Sequence, residues 1–498
     1  MATRLDSALR FVPDPGSAQP LYMQLAAFLA EAIRSDAIAV GSRLPSERFY
    51  AQRLGVSRTT ITAAYQELKL SGFLRAYVGR GAVVITDDPD GNDAGPISWP
   101  AIASRFAQPS TLGMSSNTTN TISFGNGWLH PTLIPHRELA DCAQSVMRTS
   151  GAFKQAAPIL GLHELREALI DGPLKAASIK ATPAEVLVTG GAQQGLNVLA
   201  HGMLCPGDVV LCETPTWHGA LRAFRSAGAE VVGIPIDREG IDPDALEDAL
   251  LRRRPKFIYL IPSFQCPTGR LLGLERRRRV IAMCARFRTP IVESHVYGDI
   301  AFGESIPTLK CLDESGIVIH QGSASKTISA DLRLGWLVVP NAAMELLAPA
   351  KASLDLASPT LNQAILARFL ASGAYARHLP RLRSHLQKRR DTLAHALAAH
   401  CPDLRYVTPQ GGLYLWAQLP RPMRSHEIEA VAAVAGITIR GGDAFLPEGG
   451  PSSFIRLCYA SPDLDQIDAG ARLLGTALQD VSRGHKSSIS RAAPLADV

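Results

Sequence analysis

Lys326 is preceded at close spacing by two hydroxyl side chains, Ser323 and Ser325, and followed seven residues later by Arg333. Sheltered in a pocket, a lysine amine forms a Schiff base with a carbonyl compound. Hydroxyls and a guanidinium are the groups that anchor a phosphate beside it. The segment Gln321-Gly-Ser-Ala-Ser-Lys326 comes straight after an apolar run, Ile317-Val-Ile-His320, and Leu334-Gly335 leads into another, Trp336-Leu-Val-Val339. Ser-x-Ser-Lys alone also suits a polar surface loop. Lysine, arginine and Leu-Gly arriving together between two strands point instead to a built site.

The elements that must position this segment alternate. Apolar, β-branched runs at Val186-Leu-Val188, Val209-Val-Leu211, Val231-Val-Gly-Ile234, Phe257-Ile-Tyr-Leu-Ile261 and Ile291-Val292 are separated by helical stretches over 192–204, 244–251 and 275–286. This predicts an α/β domain with a mostly parallel sheet covered by helices, and ligands beyond the carboxyl ends of its strands. Thr189-Gly-Gly-Ala-Gln-Gln194 closes one run and opens a helix, so the N–H groups around Gly191, Ala192 and Gln193 are placed to cradle a phosphate. Glu213-Thr-Pro-Thr-Trp-His218 sets an aromatic ring, Trp217, after the next run.

At 498 residues, 46% hydrophobic and 19% charged, the chain has the length for two or three domains and the composition of a soluble globular protein. No apolar run approaches the roughly 20 residues that span a bilayer, and Met1-Ala-Thr-Arg-Leu-Asp6 is a polar start. The eight cysteines, at 142, 205, 212, 266, 284, 311, 401 and 458, are dispersed without a Cys-x-x-Cys pair. They read as reduced core thiols of a cytoplasmic protein, and no metal site is expected. The net charge of +6 permits nucleic acid as a partner without demanding it.

Residues 20–85 read differently: three short helices and a hairpin. Leu25, Leu29 and Ile33 stack at intervals of four on a helix from about Pro20 to Arg34; Ser46 caps a second helix ending near Leu54. Ser57 caps a third, Arg58 to about Leu70, with Ile61, Ala64, Tyr65 and Leu68 inward and Arg58, Thr59, Thr62, Gln66 and Lys69 outward. Phe73–Tyr77 and Ala82–Ile85 flank a Gly-rich tip, Val78-Gly-Arg-Gly81. This is a winged helix-turn-helix pattern, its third helix placed for a major groove of double-stranded DNA and its wing for a neighbouring groove or phosphates. Eight basic side chains against four acidic ones fit phosphate contact (Arg34, Arg43, Arg48, Arg53, Arg58, Lys69, Arg75 and Arg80; Glu31, Asp36, Glu47 and Glu67).

Family resemblance sharpens both halves. Pro20-Leu-Tyr-x-Gln-Leu25, Gly41-Ser-Arg-Leu-Pro-Ser-Glu-Arg48, Leu54-Gly-Val-Ser-Arg-Thr-Thr60 and Gly79-Arg-Gly81 resemble the GntR-type DNA-binding domain over its full length. That implies DNA contacts from Arg48 and Arg58, Thr59 and Thr60 near bases or phosphates, and Gly79-Arg80 at the wing tip. Thr62 stands where some members carry a further arginine. From about 122 to 482 the chain resembles the fold-type I aminotransferases. The resemblance implies pyridoxal 5'-phosphate as a Schiff base on Lys326, phosphate contacts from Ser323, Ser325 and Arg333, and a stacking ring in Trp217. Pro262-Ser-Phe-Gln-Cys-Pro-Thr-Gly269 matches the family's Asn-Pro-Thr-Gly turn, with Cys266 in place of the asparagine. Tyr297 matches the tyrosine that bonds the cofactor's phenolic oxygen, and Arg456, in Phe454-Ile-Arg-Leu457, the arginine that grips a substrate carboxylate. Gly161-Leu-His-Glu-Leu-Arg166 and Pro409-Gln-Gly-Gly-Leu-Tyr-Leu-Trp416 fall in the right order. A GntR-type head on an aminotransferase-like body is the layout of the MocR subfamily of bacterial transcription regulators, which are typically homodimers.

The departures from the enzyme pattern bear on activity. Aminotransferases place an aspartate three residues before the tyrosine, where it keeps the pyridine nitrogen protonated; here Val292-Glu-Ser-His-Val-Tyr297 has Ser294. Glu293 or His295 would substitute only with its side chain turned inward. Ala156 stands where a tyrosine is usually supplied to the partner subunit. Binding an amine needs the Schiff base and a proton carrier, whereas α-proton removal needs the ring as an electron sink. The expectation is a DNA-binding regulator that senses a small amino acid or amine effector through the cofactor, with little or no turnover. The alternatives are an active aminotransferase with a DNA-binding head and a regulator that has lost the cofactor. The boundaries read as 16–86 for the head, 87–121 for a linker rich in Asp, Gly and Pro, 122–482 for the body, and 483–498 for a disordered tail.

Overall fold

The computed structural model describes residues 9, 11–14, 19–35, 37–77, 81–85, 121–149 and 158–482. They fall into two compact units divided between Ser104 and Arg105. Residues 87–120 of the linker, the wing tip with Gly79 and Arg80, Ala156 and the tail 483–498 lie outside the described residues.

In the first unit, α1 (Leu21–Arg34), α2 (Glu47–Leu54) and α3 (Arg58–Leu70) precede an antiparallel hairpin of β1 (Leu74–Tyr77) and β2 (Gly81–Val84). The caps are those that the sequence calls for. Ser46 Oγ accepts from Phe49 N at 3.3 Å and Ser57 Oγ from Thr60 N at 3.2 Å. Gly55 closes α2 with φ +65°, the left-handed conformation that makes glycine the usual residue there. Leu25, Leu29 and Ile33 of α1 pack with Ile61, Ala64, Tyr65 and Leu68 of α3 in one core.

The second unit is built on an eight-stranded sheet. Its strands are β4 (Val186–Thr189), β5 (Val209–Thr214), β6 (Glu230–Asp237), β7 (Gly240–Ile241), β8 (Phe257–Leu260), β9 (Ile291–Ser294), β10 (Val318–Ser323) and β11 (Gly335–Val338), in the order β4-β11-β10-β9-β8-β5-β6-β7. The run β10-β9-β8-β5-β6 is parallel throughout; β11 and β7 are antiparallel to their neighbours. Strands such as β8 and β9 are buried at every position, which is why they read as unbroken apolar runs in place of an alternation. Helices Ala192–Met203, Pro243–Arg253 and Leu274–Arg286 pack against the sheet.

The 27-residue helix Ala374–His400 leads out of this layer to a second, antiparallel sheet of β12 (Arg405–Tyr406), β13 (Tyr414–Gln418), β16 (Phe454–Cys458) and β15 (Arg440–Gly441), in that order. Helix Leu464–Ser482 runs along the long helix. The first strand of the unit, β3 (Ile122–Ser123), pairs in parallel with β14 (Ile437–Thr438), so the start of the body is stitched to its C-terminal part.

Candidate functional site

Lys326 sits where β10 ends. Ser323 is the last residue of the strand, its hydroxyl accepts from Ser325 N at 3.2 Å, and this hydrogen bond closes the tight turn Ala324–Lys326. Lys326 Nζ donates to the carbonyl of Gly127 at 2.8 Å. Burial, above all, holds its amine down at about 8. In the cofactor-free protein, Lys326 should therefore lose its proton earlier than solvent-exposed lysines. Pulse acetylation read by mass spectrometry should show its reactivity rising with pH and levelling above about pH 8, while exposed lysines keep rising toward about 10.4.

The lysine opens into a cavity of about 170 Å³ lined by Ala192, Gln193, Trp217, Tyr297, Ser323, Ser325 and Arg333, together with Trp128, Tyr259, Ile261 and Val296. One end has the character of an anion cradle. Gly191, with φ +94°, heads the helix Ala192–Met203 and no side chain caps it, so the first-turn N–H groups have no intrahelical partner. Arg333 reaches this turn, donating from Nη2 to Gly190 O at 3.4 Å. The Tyr259 hydroxyl on the cavity wall is buried with the Ser294 hydroxyl as its neighbour. A phosphate-bearing aromatic aldehyde fits this set: an amine, an anion cradle, an indole beside the lysine and a phenol at Tyr297.

Ser294, Cys266, Gly191 and Arg456 are not on the cavity lining. Ser294 Oγ donates to Gln321 Oε1 at 3.2 Å, and Gln321 Nε2 donates to Ala192 O at 2.9 Å, so the serine is tied into the floor under the phosphate turn. Glu293 faces away. It pairs across the strands with Leu260, whose neighbours Tyr259 and Ile261 line the cavity from the opposite face. Its carboxylate accepts from Leu309 N at 2.7 Å and Lys310 N at 3.1 Å and lies 3.0 Å from His320 Nδ1. Burial favours the neutral acid, but the His320 bond and these amides hold Glu293 down at about 2. His295 stands beside His320, ring centroids 5.2 Å apart, with Asp299 3.9 Å away. Neither side chain turns toward the site.

Arg456, on β16, is buried. Its Nη2 donates to Gly125 O, Nη1 lies 3.7 Å from the Cys266 thiol, and the guanidinium covers the Tyr414 ring at 4.2 Å. Tyr297 donates to the Tyr414 hydroxyl at 3.4 Å, and burial pushes both phenols well above their usual range. The carbonyls of one short segment thus hold both functional cations, Gly125 taking Arg456 and Gly127 taking Lys326. A Cβ on Gly127 would fall 1.9 Å from the Tyr414 hydroxyl, so only glycine lets the segment come this close. Sequence reading gave no role to Tyr414, Tyr259 or Gly125–Gly127; the one available signal was the pair of glycines around Asn126 just after the linker.

In the first unit, Arg48 on α2 and Arg58 and Thr59 at the start of α3 are exposed, and Thr60 is half-buried. Ser57 Oγ lies 2.7 Å from Thr59 Oγ1 and 2.8 Å from Thr60 Oγ1. Thr62, on the outward stripe, is half-buried: its hydroxyl lies 2.9 Å from Glu47 Oε2, and Arg58 approaches the same oxygen at 3.6 Å. Glu47 therefore orients Arg58 from α2 and occupies Thr62.

Comparison with known proteins follows the same division. The family model Aminotransferase class I and II matches residues 130–474, and Bacterial regulatory proteins, gntR family, matches residues 21–84. The HTH-type transcriptional regulator YdfD of Bacillus subtilis is 30% identical, covering 93% of this chain and 97% of its own length. The probable rhizopine catabolism regulatory protein MocR of Rhizobium meliloti is 28% identical over 95% of this chain and 97% of its own. Among solved structures, LysN, the alpha-aminoadipate aminotransferase of Thermus thermophilus, complexed with N-(5'-phosphopyridoxyl)-L-leucine, is 33% identical with a TM-score of 0.72. That match covers 78% of this chain and all of LysN. With a GntR head and an aminotransferase class I and II body in one polypeptide, the chain belongs to the MocR subfamily of GntR-type transcription regulators.

Proposed function

We propose that the protein is a homodimeric DNA-binding regulator that senses an amino acid or related amine through pyridoxal 5'-phosphate held covalently on Lys326, with little or no transaminase turnover. When bound, that cofactor supplies a carbonyl carbon for amines and a ring that takes up electrons if its nitrogen stays protonated. Lys326, Ser323, Ser325, Arg333 and the Gly191–Gln193 turn would hold it, and Trp217 and Tyr297 would orient it. Arg456 would take the effector's carboxylate. LysN, crystallised with a phosphopyridoxyl amino acid, supports the ligand class.

The observation that carries the low-turnover reading is the Ser294–Gln321 hydrogen bond. A neutral hydroxyl tied to an amide cannot hold a proton on a ring nitrogen by charge, and Glu293 is committed to His320 on the other face of the sheet. The test is a panel of keto acids offered to the cofactor-loaded protein with amino donors. Visible-band shifts without sustained keto-acid-dependent turnover are expected; continued turnover would establish a working aminotransferase instead.

The DNA arm is tested at α3. Arg58→Ala should weaken operator binding by about 1–3 kcal/mol at fixed salt. An unchanged affinity would remove the start of α3 from the interface.

A further inference from the structure

Arg440 and Arg456 are direct cross-strand partners in β15 and β16, and Trp416 is the partner of Arg456 on its other side. The three side chains therefore stand in one row on one face of the small sheet. Like charges set opposite each other destabilise a strand pair, and the cancellation here is incomplete. Arg440 Nη1 lies 3.5 Å from the carboxylate of Glu429, which is 37% exposed, while Arg456 has no carboxylate partner among the described residues.

Among the described residues, each guanidinium also keeps a buried Nε without a hydrogen-bond partner, and Nδ1 of His218 is a third such atom. His218 and Arg456 share one aromatic wall, and Arg440 joins them as the cross-strand partner of Arg456. Phe445 packs edge-on against His218 at 5.5 Å and against Trp416 at 5.7 Å, and the Arg456 guanidinium lies over its ring at 5.1 Å. His218 is next in sequence to Trp217 of the Lys326 cavity, with ring centroids 6.1 Å apart. Burial and then the charges of Arg456 and Arg440 hold its imidazole down at about 3, so it is neutral and one of its two nitrogens carries a hydrogen. A buried polar nitrogen without a partner is costly, and three in one cluster call for an anion.

We propose that this cluster receives a second acidic group of the effector: the α-carboxylate lies on Arg456 and a side-chain carboxylate on Arg440 Nε and His218 Nδ1, so the class sensed is amino dicarboxylic acids. The inference rests on the Lys326 cavity being the effector site.

The test uses the full chain loaded with pyridoxal phosphate, titrated with aspartate, glutamate and 2-aminoadipate and with their neutral counterparts asparagine, glutamine and norleucine. The visible band and the heat of binding are both read. At least one acid should bind about tenfold or more tighter than its counterpart, the effect of a charge-assisted bond. Arg440→Met should erase that preference while leaving the neutral ligand within about twofold, and Arg440→Lys should restore part of it. No acid outbinding its counterpart, or a preference that survives Arg440→Met, overturns the assignment while leaving the effector site standing. If none of the six amino acids moves the band or releases heat, the effector-site reading fails and this one with it.

Discussion

Lys326→Ala protein, mixed with pyridoxal phosphate and passed through a desalting column, should emerge colourless, whereas the parent keeps a visible band. The substitution leaves the phosphate turn, Arg333 and Trp217 in place, so weak reversible binding should persist. Retention should nevertheless fall by about two orders of magnitude or more, because the covalent attachment is gone and only non-covalent contacts oppose dissociation. A substitute lysine is not at hand in the adjoining network. Gln194 links the phosphate turn to Asp355 at 2.7 Å, but Lys351 there is fully buried and paired to the same carboxylate at 2.8 Å. A thermal melting transition matching the parent's provides the folding control. A band that survives the mutation would place the cofactor elsewhere.

Ser294→Asp should raise keto-acid-dependent turnover by about 10²-fold or more, the scale on which one well-placed electrostatic stabiliser acts in a catalytic site. The serine already occupies the strand face on which Tyr259 and Ile261 line the cavity, and Gln321 sits within hydrogen-bond reach. A carboxylate there must turn the Gln321 amide so that its nitrogen donates, which breaks the bond to Ala192 O and lowers stability. Ser294→Asn, of the same size but uncharged, separates the two effects. Its amide nitrogen can donate to Gln321 Oε1 as the serine does, so it should keep the Ala192 bond and gain no turnover. If both variants stay inactive, the missing aspartate is not what limits the chemistry.

Local signals were enough for much of this molecule. Ser46 and Ser57 cap helices because a short hydroxyl before an apolar stripe has few better uses, and the buried strands announce themselves as β-branched runs. Lys326, the serines, Arg333, Trp217 and Tyr297 were readable because each sits at a strand end, where an α/β sheet gathers its ligands. What stayed hidden depends on pairing between distant segments. The second sheet includes two-residue strands at Arg405–Tyr406 and Arg440–Gly441, too short to show a period. Without its register, nothing marks Arg440 as the neighbour of Arg456. The Thr62–Glu47 bond was hidden for a similar reason: the rotation of Thr62 about α3 is legible, but the reach of Glu47 from α2 is a matter of helix packing. The orientation of Glu293, by contrast, follows from the two-residue period of β9 once Ser294 is set toward the cavity.

The Gly125–Gly127 segment ties the two functional cations to one stretch of backbone. It lies just past the point where the polypeptide enters the body from the head, and β3 anchors it to β14 immediately before. Its two carbonyls are moored by the same nitrogens that a ligand would claim, Arg456 for a carboxylate and Lys326 for a carbonyl carbon. Arg456 can serve both uses, since Gly125 takes only Nη2, whereas Lys326 has a single nitrogen to offer. A ligand that takes Lys326 therefore competes with the Gly127 carbonyl for its amine, while Ser461 keeps its hold on the neighbouring carbonyls of Asn126 and Trp128.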